Sequence, residues 1–137
     1  MLFDVQIADR DGWIVLAVVG ELDLATGPRV RQAVIRALTT PGRRAAPPRL
    51  AIDLSGVDLI DSIGLGVLIG ALRRVRAVDG ELVLVVPEPR VRAAFAATDL
   101  DGVFTIEDAL DAVLPVGAAP AAPGPTGDGS GEGSGDG

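Results

Sequence analysis

The sequence predicts an α/β fold in which a mixed, largely parallel sheet of about five strands is covered by about four helices. The chain opens with two apolar runs on either side of Asp11-Gly12, and this arrangement is typical of a β-hairpin. Beyond the hairpin, strand-type apolar runs alternate with segments of helical periodicity. Such alternation indicates parallel strands joined by helical crossovers.

The first helix and the third strand are predicted from the runs ELDLATGPRVRQAVIRAL and RLAIDLSG. Thr26 is expected to cap the helix, and Pro28 suits its first turn. The apolar residues of this helix fall on one face and are Val30, Val34, Ala37 and Leu38. After a loop, a short apolar strand is predicted from Leu50 to Leu54, and Ser55-Gly56 is expected to end it.

The second half of the predicted domain again alternates helix and strand. A helix is predicted from Ile63 to Val78, because its apolar residues keep helical spacing and Asp79-Gly80 follows. The remaining predicted elements are, in order, a buried strand over Leu82–Val86, a helix over residues 89–98, a strand over 103–106 and a final helix over 107–114.

The predicted domain spans residues 1–114, and residues 115–137 differ from it in composition. That tail is rich in Pro and Ala, then in Gly and Ser, with three acids and no arginine. It has too little apolar surface to offset the entropy lost on ordering, so it is predicted to be disordered. The chain has no visible secretory signal and no apolar run of about 18 residues. We therefore expect a soluble, cytoplasmic monomer that does not contact membranes.

The composition argues against catalysis and against nucleic-acid binding. The chain has no His, Cys or Tyr, and all twelve basic residues are arginine. General acid–base and nucleophilic catalysis mostly depend on the missing residue types. The net charge of −7, with one Trp and three Phe, is unlike the basic, aromatic surface that binds nucleic acid. The sequence therefore predicts a protein that is not an enzyme and needs no cofactor.

Two polar loops, GELDLAT after the second strand and SGVDLIDS after the third, are expected to meet at the carboxyl edge of the sheet. Together they contain four aspartates, counting the one that precedes the second loop: Asp23, Asp53, Asp58 and Asp61. Hard cations prefer carboxylates. Acids at strand ends are, however, mostly turn and cap residues, so no metal site is predicted.

Ser62 lies where the second helix is expected to begin, and two interpretations are open. Either Ser62 or Asp61 caps the helix, contributing ~1 kcal/mol. Alternatively, Ser62 is phosphorylated, which would place about −1.5 to −2 charge at a helix N-terminus that tolerates anions. Beside Asp61, Asp58 and Asp23, that charge would make the surface strongly anionic and expel a docked partner.

Three glycines follow Ser62 within two turns of the predicted helix, at positions Gly64, Gly66 and Gly70. Each lowers helix stability by ~1 kcal/mol relative to alanine, so their presence needs a reason. One reason is close packing within the domain. The other is an exposed, smooth strip on which a partner can lie.

The chain resembles the bacterial anti-sigma factor antagonists, a STAS-domain family, in the segments GELDLAT, IDLSGVDLIDSIGLGVLIGALRRVRAVDGELVLV and VRAAFAATDLDGVF. The resemblance covers about Val5 to Leu114 and implies a STAS-like fold without catalytic activity. It also implies that the unphosphorylated protein binds an anti-sigma factor, itself a serine/threonine kinase, and so frees the sigma factor. The kinase phosphorylates the antagonist, which breaks the complex, and a metal-dependent serine phosphatase resets it.

The resemblance assigns roles to individual residues. Ser62 matches the phosphorylated serine, Asp61 the acid before it, and Asp23 the loop acid of the GELD motif. Ile63 departs from the Ser or Thr that many members carry, and it is expected to affect partner choice. The full predicted partner-binding set is Asp23, Asp61, Ile63, Gly64, Gly66 and Gly70. The alternative is a STAS module of another signalling circuit, a stress-signalling scaffold or a small-molecule or lipid sensor, that binds without a phospho-switch.

Overall fold

A single five-stranded sheet organises the computed structural model, which describes residues 2–40 and 46–114. The strands are β1 (Asp4–Arg10), β2 (Trp13–Leu22), β3 (Arg49–Ile60), β4 (Glu81–Val85) and β5 (Thr105–Glu107). They lie in the spatial order β1-β2-β3-β4-β5, with β1 antiparallel to β2 and every later neighbour parallel. The predicted mixed, largely parallel sheet is confirmed, and so is the opening hairpin.

Three helices follow β2, β3 and β4: α1 (Gly27–Thr39), α2 (Ser62–Ala77) and α3 (Pro89–Ala97). Because each parallel strand lies beside its predecessor in the same direction, right-handed crossovers place all three helices on one face of the sheet. The buried core on this face draws on alternate strand residues and includes Leu16, Val18, Leu50, Ile52, Leu84, Val30, Leu68, Val91 and Phe95. The helices therefore rest on one continuous apolar layer.

The opposite face of the sheet has a smaller apolar cluster. It consists of Trp13, Val15, Ala51, Val83 and Leu114, with Leu110 and Val113 packed against it. The predicted final helix over 107–114 is wrong, because the described chain has only a short 3-10 turn at Leu110–Ala112. Glu107 belongs to β5, where its carbonyl accepts a hydrogen bond from the Val86 N–H. Too few residues remain for an α-helix, and those that remain turn their apolar side chains onto the sheet.

Strand β3 is longer than the predicted Leu50–Leu54, and the expected stop at Ser55-Gly56 is wrong. Asp53 accepts hydrogen bonds from both the backbone and the hydroxyl of Ser55, while the strand continues. A Cβ at Gly56 would lie 2.8 Å from Val19 Cγ2, so the glycine lets β2 and β3 pass closely. The β2–β3 register shifts on either side of this close approach, and pairing continues to Ile60.

The bounds of other helices and strands differ from the predicted ones by one or two residues. Helix α2 begins at Ser62 rather than Ile63, and β4 spans Glu81–Val85 rather than Leu82–Val86. In the part of the chain that the structure describes, no helix combines the length and apolar character needed to cross a bilayer. The predicted disordered tail, residues 115–137, lies outside the described residues.

Candidate functional site at the start of α2

The start of α2 is held by Asp61. This residue has an extended backbone, and its side chain accepts a hydrogen bond of 2.8 Å from the Gly64 N–H. Its own N–H donates to the Leu22 carbonyl at 3.2 Å, which joins the helix start to the end of β2. Of the two candidate caps, Asp61 is therefore the one that caps the helix.

Ser62 occupies the first helical position and is exposed. Its hydroxyl makes no hydrogen bond to any residue that the structure describes. Since Asp61 already caps the helix, the fold does not depend on a hydrogen bond from the Ser62 side chain. The residue that carries this hydroxyl is exposed to solvent.

Asp23 organises the loop between β2 and α1. Its carboxylate accepts hydrogen bonds from the backbone N–H groups of Ala25, at 3.0 Å, and Thr26, at 3.1 Å. Thr26 occupies the N-cap position of α1, but its hydroxyl makes no cap bond and donates instead to the Glu21 carbonyl at 2.6 Å. The predicted cap by Thr26 is thus wrong, because the loop uses the hydroxyl.

The two polar loops meet at one edge of the sheet, as expected. Leu22 and Ile60 are register partners, and Asp23 and Asp61 follow them directly. Both acids therefore lie beside Ser62 at the carboxyl ends of neighbouring parallel strands. Among the described residues, no three acidic side chains converge in a way that could hold a metal ion.

The three glycines of α2 divide into two kinds. A Cβ at Gly64 would lie only 2.4 Å from the Leu22 carbonyl oxygen, so this glycine is required for packing against β2. A Cβ at Gly66 or Gly70 would meet nothing within 4 Å. Of the two reasons considered for the glycines, close packing applies to Gly64 and an open strip to Gly66 and Gly70.

A groove of about 320 Å³ runs between α1 and α2 and begins at Ser62. It is lined by Arg31, Val34, Ser62, Ile63, Gly66, Val67, Gly70, Ala71 and Arg74. The helices approach closely at Gly27, where a Cβ would lie 3.0 Å from Val67 Cγ2. Sequence reasoning missed the contribution of Arg31 and Val34, because no local pattern shows which face of α1 borders α2.

Apolar side chains surround the start of α2 at the surface. Ile63 is 47% exposed, Leu24 in the preceding loop is 72% exposed, and Leu59 near the end of β3 is 44% exposed. Leu24 and Leu59 were not predicted as site residues, although both lie within the two polar loops.

A family comparison decides what kind of domain this is. The model of the STAS domain family matches residues 4–113. The chain belongs to the STAS domain family. An anti-sigma-B factor antagonist from Listeria monocytogenes is 34% identical to it over 109 residues, which cover 79% of this chain and 91% of that relative. The resemblance drawn from the sequence motifs is confirmed.

Solved structures of two anti-sigma factor antagonists have the same architecture. An anti-sigma factor antagonist from Mycobacterium paratuberculosis is 29% identical with a TM-score of 0.64, over 81% of this chain and 90% of that chain. The anti-sigma factor antagonist SpoIIAA, in its unphosphorylated form, shares the fold with a TM-score of 0.59 at 23% identity, over 82% of this chain and 94% of that chain.

Proposed function

We propose that this STAS protein is an anti-sigma factor antagonist whose binding to an anti-sigma factor is broken by phosphorylation of Ser62. The observation that supports this most directly is that Asp61, and not Ser62, caps α2. Asp61 caps the helix, and the exposed Ser62 hydroxyl has no structural hydrogen bond among the described residues. A phosphate can therefore be added without removing an interaction that holds the fold.

The charge around Ser62 explains how a phosphate would act. The group adds about −1.5 to −2 charge and three acceptor oxygens. Asp61 precedes Ser62 directly, and Asp23 lies on the neighbouring strand end. A partner that docks on this acidic edge would meet both a bulky group and a sharply increased negative potential. The complex then dissociates, although the domain stays folded.

The partners follow from this chemistry. The chain has no histidine, lysine or cysteine to activate its own serine, so a second protein must transfer the phosphate. In the proposed circuit that protein is the anti-sigma factor, acting as a serine/threonine kinase, and a metal-dependent serine phosphatase removes the group. The Listeria relative's name, anti-sigma-B factor antagonist, supports a role in sigma-factor regulation. In this circuit the chain is not an enzyme.

Ile63 favours a second candidate, a STAS module that binds without a phospho-switch. It puts a half-exposed apolar side chain directly after Ser62 and into the groove. In this second candidate the groove binds a small molecule or lipid. A ligand that binds there, in a protein that no host kinase phosphorylates, would favour this candidate.

Phosphosite mapping tests the proposal. The full chain is incubated with ATP and lysate of its own host, shown to contain active serine kinases, and analysed by mass spectrometry. We expect phosphate on Ser62 and its loss in Ser62→Ala. Absence of phosphate from Ser62 in the active lysate would contradict the proposal.

A further inference from the structure

We infer that the groove between α1 and α2 binds an apolar segment of the partner kinase that carries carboxylates. The inference rests on the proposed function and specifies which part of the partner this surface accepts. It adds Arg31 and Arg74 to the binding surface, neither of which was predicted from the sequence. The acidic edge at Asp23 and Asp61 is a separate contact at one end of the groove.

Open space along α2 leaves room in the groove for a partner. Gly66 and Gly70 both line it, one turn apart, and a Cβ at either would touch nothing within 4 Å. Glycine weakens a helix relative to alanine, and here the domain gains no internal packing in return. The same helix uses Gly64 for a tight internal contact. The open glycines therefore allow a partner's backbone to approach the helix closely.

Two arginines define the charge of the occupant. Arg31 comes from α1 and Arg74 from α2, and both border the groove. Its apolar floor consists of the half-buried Val67 and of Val34 and Ala71, which belong to the core. Within residues 2–40 and 46–114, neither guanidinium forms a hydrogen bond or an ion pair. Apolar side chains between unpaired cations complement a segment that is apolar and bears carboxylates, because arginine binds carboxylates in a bidentate geometry.

The surface continues beyond the first groove. Arg74 also borders a second depression of about 310 Å³, lined by Ile35, Leu38, Thr39, Ala77 and Val78. The two depressions follow the α1–α2 pair towards the ends of both helices. A segment several residues long can therefore lie along the pair rather than occupy a single pocket.

Ser62 lines the same groove at its other end. A phosphate there would face the carboxylates of a segment bound between Arg31 and Arg74. The repulsion would act within the groove as well as at the acidic edge, since like charges disfavour binding at short range. One modification would thus weaken both parts of the interface.

The test compares groove variants with matched controls, using the full chain and its purified anti-sigma factor kinase. Arg74→Glu and Gly70→Leu alter the groove. Arg73→Glu is the control for Arg74→Glu, because it makes the same charge change at the neighbouring residue of α2, which does not line the groove. Gly102→Leu is the control for Gly70→Leu, because a Cβ at Gly102 also meets nothing within 4 Å and this residue does not line the groove. We expect at least a tenfold rise in Kd for the groove variants and less than a twofold change for the controls. Thermal unfolding of Gly70→Leu should occur at the wild-type temperature or above it.

Salt and oligomeric state complete the test. The wild-type Kd should rise with salt concentration, and Arg74→Glu should reduce that dependence. If the groove variants bind the kinase as the controls do, the groove inference is wrong and the proposed function stands. If the wild type binds no anti-sigma factor kinase, the proposed function is wrong and the inference fails with it. A wild-type dimer that Arg74→Glu converts to monomer would show that a second copy fills the groove, which also overturns the inference.

Discussion

At the scale of single residues, Asp61 and Ser62 are neighbours with separate roles. The Asp61 carboxylate accepts a hydrogen bond from the Gly64 N–H and caps the helix. The Ser62 hydroxyl makes no hydrogen bond to a described residue. The sequence placed both at the helix N-terminus but left the choice of cap open, because serine and aspartate cap helices about equally well. Which of them caps depends on where β3 ends, and that is a tertiary property.

Replacing Asp61 should lower stability through the helix start. Asp61→Ala removes the cap, so the free energy of unfolding should fall by about 1 kcal/mol. Urea denaturation followed by circular dichroism measures this. Asp58→Ala is the control, because the Asp58 side chain is exposed and makes no hydrogen bond or ion pair among the described residues. Its effect should stay below about 0.5 kcal/mol. Equal losses in the two variants would contradict the assignment of Asp61 as the cap.

Two glycines of α2 should respond to alanine in opposite directions. Gly64→Ala puts a Cβ against the Leu22 carbonyl, 2.4 Å away before any shift, and should lower the free energy of unfolding by about 1–3 kcal/mol. Gly66→Ala adds a methyl group in open space and should raise it by up to ~1 kcal/mol. The same denaturation experiment measures both. Changes of the same sign would show that the two positions are not packed differently.

At the scale of elements, the paired strands β2 and β3 position the two loops of the candidate site. Their pairing continues past the last β3–β4 pair, Asp53 with Val85, and ends where Leu22 and Ile60 meet. Strand periodicity predicted both strands but not the extension of β3, because Ser55-Gly56 has the composition of a turn. Whether a Ser-Gly dipeptide ends a strand depends on the neighbouring strand. Here Val19 of β2 lies directly against Gly56, and β3 continues.

Helix α2 was predicted to within a residue at each end, whereas the final helix was not found. The difference has a physical reason. Apolar spacing in α2 extends over four turns and fixes the helix, while the last segment has only seven described residues after β5, too few for a stable helix. Those residues serve the second face of the sheet, and single-sequence patterns do not show which face needs covering.

Leu114 should stabilise that second face. It is buried there with Trp13 and Val15, so Leu114→Ala should lower the free energy of unfolding by about 2 kcal/mol. Because Trp13 is the chain's single tryptophan, its native emission should move to longer wavelength. Val91→Ala, on the helical face, should destabilise the protein without moving that emission. An unchanged Trp13 spectrum in Leu114→Ala would contradict this packing.

At the scale of the whole molecule, the fold separates stability from binding. The helices and the core lie on one face of the sheet, and the end of the described chain covers the other. The exposed residues assigned to binding, such as Ser62, Ile63 and Arg74, lie at the edge and along the α1–α2 groove, outside the buried core. The sequence predicted the edge because parallel strands place their loops there, but the groove required knowledge of which helix faces meet.

The phospho-switch is tested most directly by the Kd between the full chain and its anti-sigma factor kinase, measured before and after stoichiometric phosphorylation. We expect a Kd about 5–150-fold higher for the phosphorylated chain, the range typical of coupling free energies between two sites. Ser62→Ala, treated with kinase and ATP in parallel, should keep the unphosphorylated Kd. An unchanged Kd for protein carrying phosphate on Ser62 would contradict the central claim that this serine switches the complex.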